Sequence, residues 1–168
     1  MRVIVVRRIV VGLVVVVAMM MPTYAAAADG NNACSLATPA EIQTALSSPI
    51  VMNSMGNDLC MGATSNAKVM LRIATGLDPT RDRSGAKEKA GLDIVRKMGG
   101  QAEVKTFGPI VCSTIQPPPG KDQMGYNTTC TVSKDTAVAG IEVTAKSQKD
   151  MVPIDKLHPV AEKIAGRF

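Results

Sequence analysis

Four cysteines constrain the fold of this chain more than any other feature. Cys34, Cys60, Cys112 and Cys130 all follow the first 28 residues. An even number of cysteines in an exported chain predicts disulfide bonds, and four cysteines allow three connectivities. We favour Cys34–Cys60 together with Cys112–Cys130, because each of these pairs joins neighbouring predicted elements. In the chain-entropy model each bond contributes about 3 kcal/mol.

The N-terminal segment is typical of a secretory signal peptide. Three arginines within the first eight residues precede an apolar run over residues 9–21. Small residues follow, and cleavage after Ala25, Ala27 or Ala28 suits a signal peptidase. A retained anchor is the alternative, but a membrane-spanning helix needs about 20 apolar residues. We therefore expect 1–28 to be a cleaved signal peptide and the protein to be periplasmic or otherwise extracytoplasmic.

The remaining residues, 29–168, are expected to form one disulfide-stapled domain that is close to neutral. The whole chain has 19 lysines and arginines against 14 aspartates and glutamates, and three of the basic residues lie in the signal peptide. Two Phe, two Tyr and no Trp are available for stacking. Neither the charge nor the aromatic content favours nucleic-acid binding. We expect no nucleic-acid partner, and contact with a membrane only during export.

The first half of the domain has clear helix and strand signals. Thr38, Pro39 and Glu41 form a capping box with a proline at the first helical position. Three strand candidates follow, over residues 50–55, 59–64 and 68–75, the last with period-2 alternation. A second helix is predicted from Ser84 to Met98. Its inner face is predicted to contain Ala90, Ile94, Val95 and Met98.

The second half is predicted to be a meander that ends in a helix. Strand candidates cover residues 102–107, 109–115, 126–133 and 137–145. The last helix is predicted over residues 155–167, with Pro159 in or just before its first turn. Its buried stripe is predicted to contain Leu157, Val160, Ala161 and Ile164. The fold class expected is α+β, with a mainly antiparallel sheet of about five to six strands packed by two to three helices.

The segment that begins the domain, ACSLATPAEI over residues 33–42, resembles the "CSLLT…E" opening of LpqN-type secreted and cell-envelope proteins. The resemblance implies a second cysteine in an early strand, where Cys60 lies, and a Mog1/PsbP-like α/β/α sandwich. It also implies a ligand-binding or accessory role and supplies no catalytic residue. The chain departs from the family pattern at two points: no lipobox precedes Cys34, and Met61 rather than a tryptophan follows Cys60.

Residue types for catalysis are scarce. His158 is the single histidine, so any Ser-His or Cys-His mechanism must use it. Its place at the predicted start of the last helix predicts a surface residue. The pairs Ser65–Lys68 and Ser84–Lys87 match Ser-x-x-Lys, but the companion motifs of penicillin-recognising enzymes are absent from the sequence. We expect no enzymatic activity, no catalytic residue and no cofactor.

Metal binding is a weaker alternative. Met52, Met55 and Met61 carry thioethers, which are soft ligands for Cu(I). The simpler interpretation is that these methionines fill an irregular core. One histidine and the absence of a Cys-x-x-Cys motif argue against zinc. We therefore assign no metal ligand and keep Cu(I) binding as an alternative function.

The leading hypothesis is an exported ligand-binding or accessory envelope module, whose partner is an unidentified small molecule or an envelope protein. Its ligand is expected between the sheet and a helix, or at an exposed loop over residues 76–85 or 117–124. A third hypothesis is a structural protein that binds a partner through a sheet edge or its basic second helix.

Overall fold

The computed structural model describes residues 32–77 and 86–168, and within residues 86–88 it describes the backbone alone. The predicted signal peptide, its cleavage site and the helix cap at Ser84 lie outside the described residues. The described elements run in the following order along the chain: α1 (Pro39–Leu46), β1 (Val51–Ser54), β2 (Leu59–Ala63), β3 (Ala67–Ala74), α2 (Ala86–Lys97), β4 (Gln101–Phe107), β5 (Ile110–Gln116), β6 (Tyr126–Lys134), β7 (Ala137–Ala145) and α3 (Ile154–Arg167).

All seven of these strands form one antiparallel sheet in the order β1-β2-β3-β7-β6-β5-β4. This confirms the α+β class, and the sheet has slightly more strands than the five to six expected. Each predicted strand lies within about one residue of an observed one. The chain runs from β3, inside the sheet, to β4 at its far edge, and the connection contains α2.

One face of the sheet carries the core because side chains alternate across the strands. Val69 and Leu71 of β3 are fully buried, and they lie opposite Val143 and Ile141 of β7. α3 packs on this face against β5, β6 and β7, and α1 packs against α3. The predicted stripe of α3 is confirmed, since all four of its residues are buried: Leu157, Val160, Ala161 and Ile164.

Both favoured disulfide pairings are confirmed. Cys34, just ahead of α1, bonds to Cys60 in β2, and Cys112 bonds to Cys130 directly opposite it on the neighbouring strand. Cys60, Cys112 and Cys130 are completely buried, and no cysteine among the described residues is free. The first bond ties the start of α1 to the sheet, and the second joins two strands across the core face.

The last helix differs from its prediction at its beginning. α3 starts at Ile154, which places Pro159 inside the helix, in its second turn. The expectation that Pro159 lies in or before the first turn is therefore wrong. The Pro159 ring is exposed to solvent, and the cost of its missing N–H is offset by burial of the apolar stripe of the same helix.

α2 lies on the other face of the sheet. Lys105 and Phe107 of β4 contact α3, so the alternate residues Ala102 and Val104 point away from it. α2 packs against β4 and β5, and its Leu92 is buried outside the core cluster formed with α1 and α3. The sheet thus has helices on both faces.

The predicted inner face of α2 is wrong at three of its four positions. Leu92 is the buried residue, whereas Ile94 is 59% and Met98 55% exposed, and Ala90 is exposed too. Val95 is half-buried where the chain returns to the sheet: a Cβ on Gly100 would lie 2.8 Å from its Cγ1. The helix covers only one edge of the sheet, so it buries only a narrow stripe of side chains. Hydrophobic periodicity alone does not predict which of two adjacent apolar stripes on a helix is the buried one.

Candidate functional site

A groove runs between α1 and α3 on the core side of the sheet. Its floor includes Ala45 and Val160, which are both buried, together with Pro159. Its volume is about 450 Å³, within the usual range of pockets for small molecules. Polar side chains stand along its rim: Glu41, Thr44, Ser47, Lys156 and Lys163.

The groove continues past the C-terminal end of α1 into a second compartment of about 290 Å³. This compartment shares Ala45, Ser47 and Lys156 with the first. Its other walls come from the β2–β3 turn and from the segment before α3: Thr64, Asn66, Lys149, Asp150 and Val152. We call the two compartments together the α1–α3 groove.

Local sequence signals begin and end α1, and a tertiary hydrogen bond places the start of α3. The predicted capping box is present at the start of α1: Thr38 Oγ1 accepts the Glu41 N–H at 3.3 Å, and Glu41 Oε2 accepts the Thr38 N–H at 2.8 Å. Ser47 ends α1 with a left-handed backbone, φ 52°. The chain enters α3 through Val152, whose carbonyl accepts a hydrogen bond from the buried hydroxyl of Thr128 in β6.

An ion pair closes one end of the groove. Arg167 donates to both carboxylate oxygens of Glu41, each at 2.6 Å, and so connects the last turn of α3 to the first turn of α1. This hydrogen bonding lowers the pKa of Glu41 from 4.5 to about 2 against the opposing effect of partial burial, with a smaller contribution from Thr38. The same contact raises the pKa of Arg167. The pair therefore stays charged at neutral pH.

The other carboxylate of the groove is also engaged. Asp150 accepts hydrogen bonds from the Ser147 hydroxyl and, at 3.2 Å, from the Asn66 side-chain amide. Three lysines line the groove, at positions 149, 156 and 163. Their side chains are exposed, and within residues 32–77 and 86–168 none forms an ion pair or a side-chain hydrogen bond. The groove therefore has an excess of positive charge.

The candidate Cu(I) ligands do not come together. Met52 in β1 pairs with Gly62 and packs against the core, whereas Met61 is on the opposite face of the sheet, opposite Asn53. Met55 lies in the turn after β1 and is 62% exposed. Among the described residues no group of three or more His, Cys, Asp or Glu side chains is arranged to hold a metal ion.

His158 is only partly exposed, whereas the sequence predicts a surface residue. Its side chain is 20% exposed, and its ring stacks on Phe107 with the centroids 4.0 Å apart. In the described part of the chain the imidazole makes no hydrogen bond to a serine, threonine or cysteine; Glu162, one turn along α3, lies 3.9 Å away. The residue packs α3 against the edge strand β4.

The other sequence-predicted positions do not line the groove, or they are outside the described residues. In the loop over residues 117–124, Pro117 is buried, and the Tyr126 hydroxyl donates to Asp122 at 2.7 Å, which raises the pKa of Tyr126. Ser65 and Lys68 belong to the β2–β3 turn and β3, and both are exposed. Residues 78–85, among them Ser84, are outside what the structure describes, and of Lys87 it describes the backbone alone.

No family model, curated protein or solved structure matches this chain. Nor is any helix in the described residues long and apolar enough to cross a membrane.

Sequence reasoning did not single out the groove lysines, although their seven-residue spacing is visible in the sequence. Seven residues are close to two helical turns, so Lys156 and Lys163 lie on one side of α3. The two lysines line a groove only because α1 forms its other wall. No local sequence pattern predicts that α1 and α3 are neighbours.

Proposed function

We propose that the protein is an exported single-domain binding module that holds a small ligand in the α1–α3 groove. The observation that carries this proposal is the depression between the two helices, with an apolar floor at Ala45, Pro159 and Val160 and polar groups along its rim. Concave, mainly apolar sites with a few polar groups are the usual form of small-molecule sites.

The disulfides support export. Two bonds that use all four cysteines suit an oxidising compartment, since such bonds are rare in the cytosol. The N-terminal basic and apolar segment has the pattern that directs a chain there. The proposed location is therefore the periplasm or another extracytoplasmic space.

The two walls of the groove are held from several sides, which favours a preformed site. Arg167 joins α1 to α3 at one end, the Cys34–Cys60 bond ties the segment before α1 to the sheet, and Thr128 holds the segment before α3. A site that is already ordered loses less entropy when the ligand binds. Helices on both faces of an antiparallel sheet also support a relationship to the LpqN-type proteins, which we include in the proposal.

A neutral fluorescent probe tests the site. We expect N-phenyl-1-naphthylamine to bind the domain of residues 29–168, and Thr44→Trp, which places an indole in the groove, to abolish the fluorescence increase. Gln43→Trp is the matched control, since Gln43 is an exposed neighbour on the same helix that does not line this groove. Equal binding by both variants, or none by the unmodified domain, would overturn the assignment.

Export has its own test. The protein isolated from its producing cells should begin after Ala25, Ala27 or Ala28, and its intact mass should be four hydrogens below that of the reduced chain. An intact N-terminus with four free thiols would contradict the proposal, whatever the probe experiment shows.

A further inference from the structure

We infer that the α1–α3 groove takes a single-chain amphiphile with one carboxylate head, a ligand of the fatty-acid type. This inference rests on the proposed function, because it names the ligand class of that same site. The argument has three parts: the position of the lysines, the state of the nearby carboxylates, and the apolar floor beneath them.

The lysines form a row beside the groove. Lys156 and Lys163 are separated by seven residues of α3, about 10 Å along the helix axis, and both line the larger compartment. Lys149 precedes α3 and lines the smaller compartment, which also includes Lys156. Flexible lysine side chains from both ends of the larger compartment can reach one anionic group that lies between them.

The acidic groups of the groove compensate the charge of these lysines only in part. Glu41 is held by Arg167 in a two-point contact, and Asp150 accepts from Ser147 and Asn66. Arg167 neutralises Glu41, whereas Asp150 has only neutral donors and keeps its charge, so three lysines face one unneutralised carboxylate and the groove keeps a net positive charge. A ligand that brings one negative charge to the rim complements this arrangement.

The floor specifies the rest of the ligand. Ala45, Pro159 and Val160 present an apolar surface between the lysine stems. A lysine can lay its methylene groups along such a surface while its ammonium group stays in water. A hydrocarbon chain on the floor and a carboxylate at the rim would satisfy both parts of the site. A small anion without a chain leaves the floor uncovered, and a neutral chain leaves the lysines without a counter-charge.

The test compares a ligand that has both a hydrocarbon chain and a carboxylate with ligands that lack one of the two. Dodecanoate, dodecanol and acetate are each titrated into the domain against the neutral probe. We expect dodecanoate to displace the probe at a concentration at least about tenfold lower than dodecanol, a difference of about 1.4 kcal/mol, and acetate not to displace it. Raising the salt concentration should weaken dodecanoate binding and leave dodecanol binding unchanged.

Charge reversal tests the residues. Lys156→Glu combined with Lys163→Glu should weaken dodecanoate binding at least about tenfold more than it weakens binding of the neutral probe. Lys68→Glu combined with Lys121→Glu changes the net charge equally at exposed positions outside the groove, and it should bind dodecanoate as the unmodified domain does. Circular dichroism and the urea midpoint check that both variants are folded.

The outcomes separate the two proposals. If the neutral probe binds and Thr44→Trp blocks it, but dodecanol competes as well as dodecanoate, the ligand class is wrong and the binding site stands. If the groove lysines can be reversed with no effect on dodecanoate, the inference is likewise overturned. If the neutral probe does not bind at all, the site itself is wrong.

Discussion

At the scale of single residues, one buried hydroxyl has a large structural effect. Thr128 is completely buried in β6, and its hydroxyl donates to the carbonyl of Val152, just before α3. The hydrogen bond sets where the chain leaves the sheet and enters the helix that forms one wall of the groove. A buried carbonyl that loses its donor costs more free energy of folding than one hydrogen bond contributes on average. Loss of the Thr128 hydroxyl should therefore destabilise the domain by more than the average value for one bond.

Thr128→Val is expected to destabilise the domain by about 1–3 kcal/mol, because the change keeps the shape of the side chain and leaves the Val152 carbonyl unpaired. Urea unfolding followed by circular dichroism measures the effect. The control is Thr129→Val, at a half-buried position on the other face of the sheet, where a change within about 0.5 kcal/mol is expected. Equal effects of the two substitutions would contradict the role assigned to Thr128.

The cap of α1 gives a second prediction at this scale. Thr38→Ala removes the acceptor for the Glu41 N–H and should reduce the free energy of unfolding by about 1 kcal/mol. Gln43→Ala, at an exposed position of the same helix, should change it by less than about 0.5 kcal/mol. The same urea titration measures both variants, and an unaffected Thr38→Ala variant would show that the cap does not stabilise the folded domain.

At the scale of elements, the contact between Glu41 and Arg167 joins the two helices of the groove across 126 residues of sequence. The folded-state pKa of Glu41, about 2, is below the value of 4.5 for a free carboxyl group. The folded state therefore favours the ionised form, and the stability from this shift is fully present above pH 4.5. It is lost as the pH falls from 4.5 towards 2.

Comparison with Glu41→Gln isolates this pH dependence. We expect the unmodified domain to be more stable than Glu41→Gln at pH 6, and the difference between them to shrink steadily from pH 4.5 to pH 2.5. Urea unfolding of both proteins across this range provides the measurement. A difference that stays constant with pH would mean that ionisation of Glu41 does not contribute to joining α1 and α3.

At the scale of the whole molecule, the two disulfides differ in how well they are protected. Both cysteines of the Cys112–Cys130 bond are completely buried, whereas Cys34 of the other bond is half-buried. A reducing agent must reach the sulfur atoms, so access depends on how far each region opens. The bond at the start of α1 lies closer to solvent than the bond inside the sheet.

Dithiothreitol is therefore expected to reduce Cys34–Cys60 before Cys112–Cys130 under native conditions, and both bonds together in urea. Alkylation of the freed thiols and peptide mass spectrometry give the order. Reduction of Cys112–Cys130 first would contradict the expected protection.

Replacing both cysteines of either bond by serine should lower the free energy of unfolding by about 2–5 kcal/mol.

Much of the fold was predictable because its signals are short-range. The capping box uses Thr38 and Glu41, three residues apart, and the alternation of Val69 and Leu71 identifies β3 within a few positions. The face of α2 was not predictable in this way. Leu92 is buried and Ile94 and Met98 are exposed because of the way the helix lies across β4 and β5. That position depends on the whole sheet.

The candidate site shows the same division. Lys156 and Lys163 can be placed on one side of the last helix from their spacing, but the apolar floor requires α1 to lie beside α3. The opposite faces of Met52 and Met61 likewise follow from strand register rather than from their closeness in sequence. His158 contacts Phe107, 51 residues earlier, only after β4 has reached the edge of the sheet beside α3.

By itself, the sequence determined the main elements and the α+β class, and it favoured one of the three disulfide pairings. Each depends on hydrogen bonds and side-chain periodicity within a few residues, or on cysteine number. Only the tertiary structure decided which side chains stay exposed, which charges are already paired and where a groove opens. Those properties depend on distances between residues far apart in the chain, such as Glu41 and Arg167, and packing sets these distances after the elements have formed.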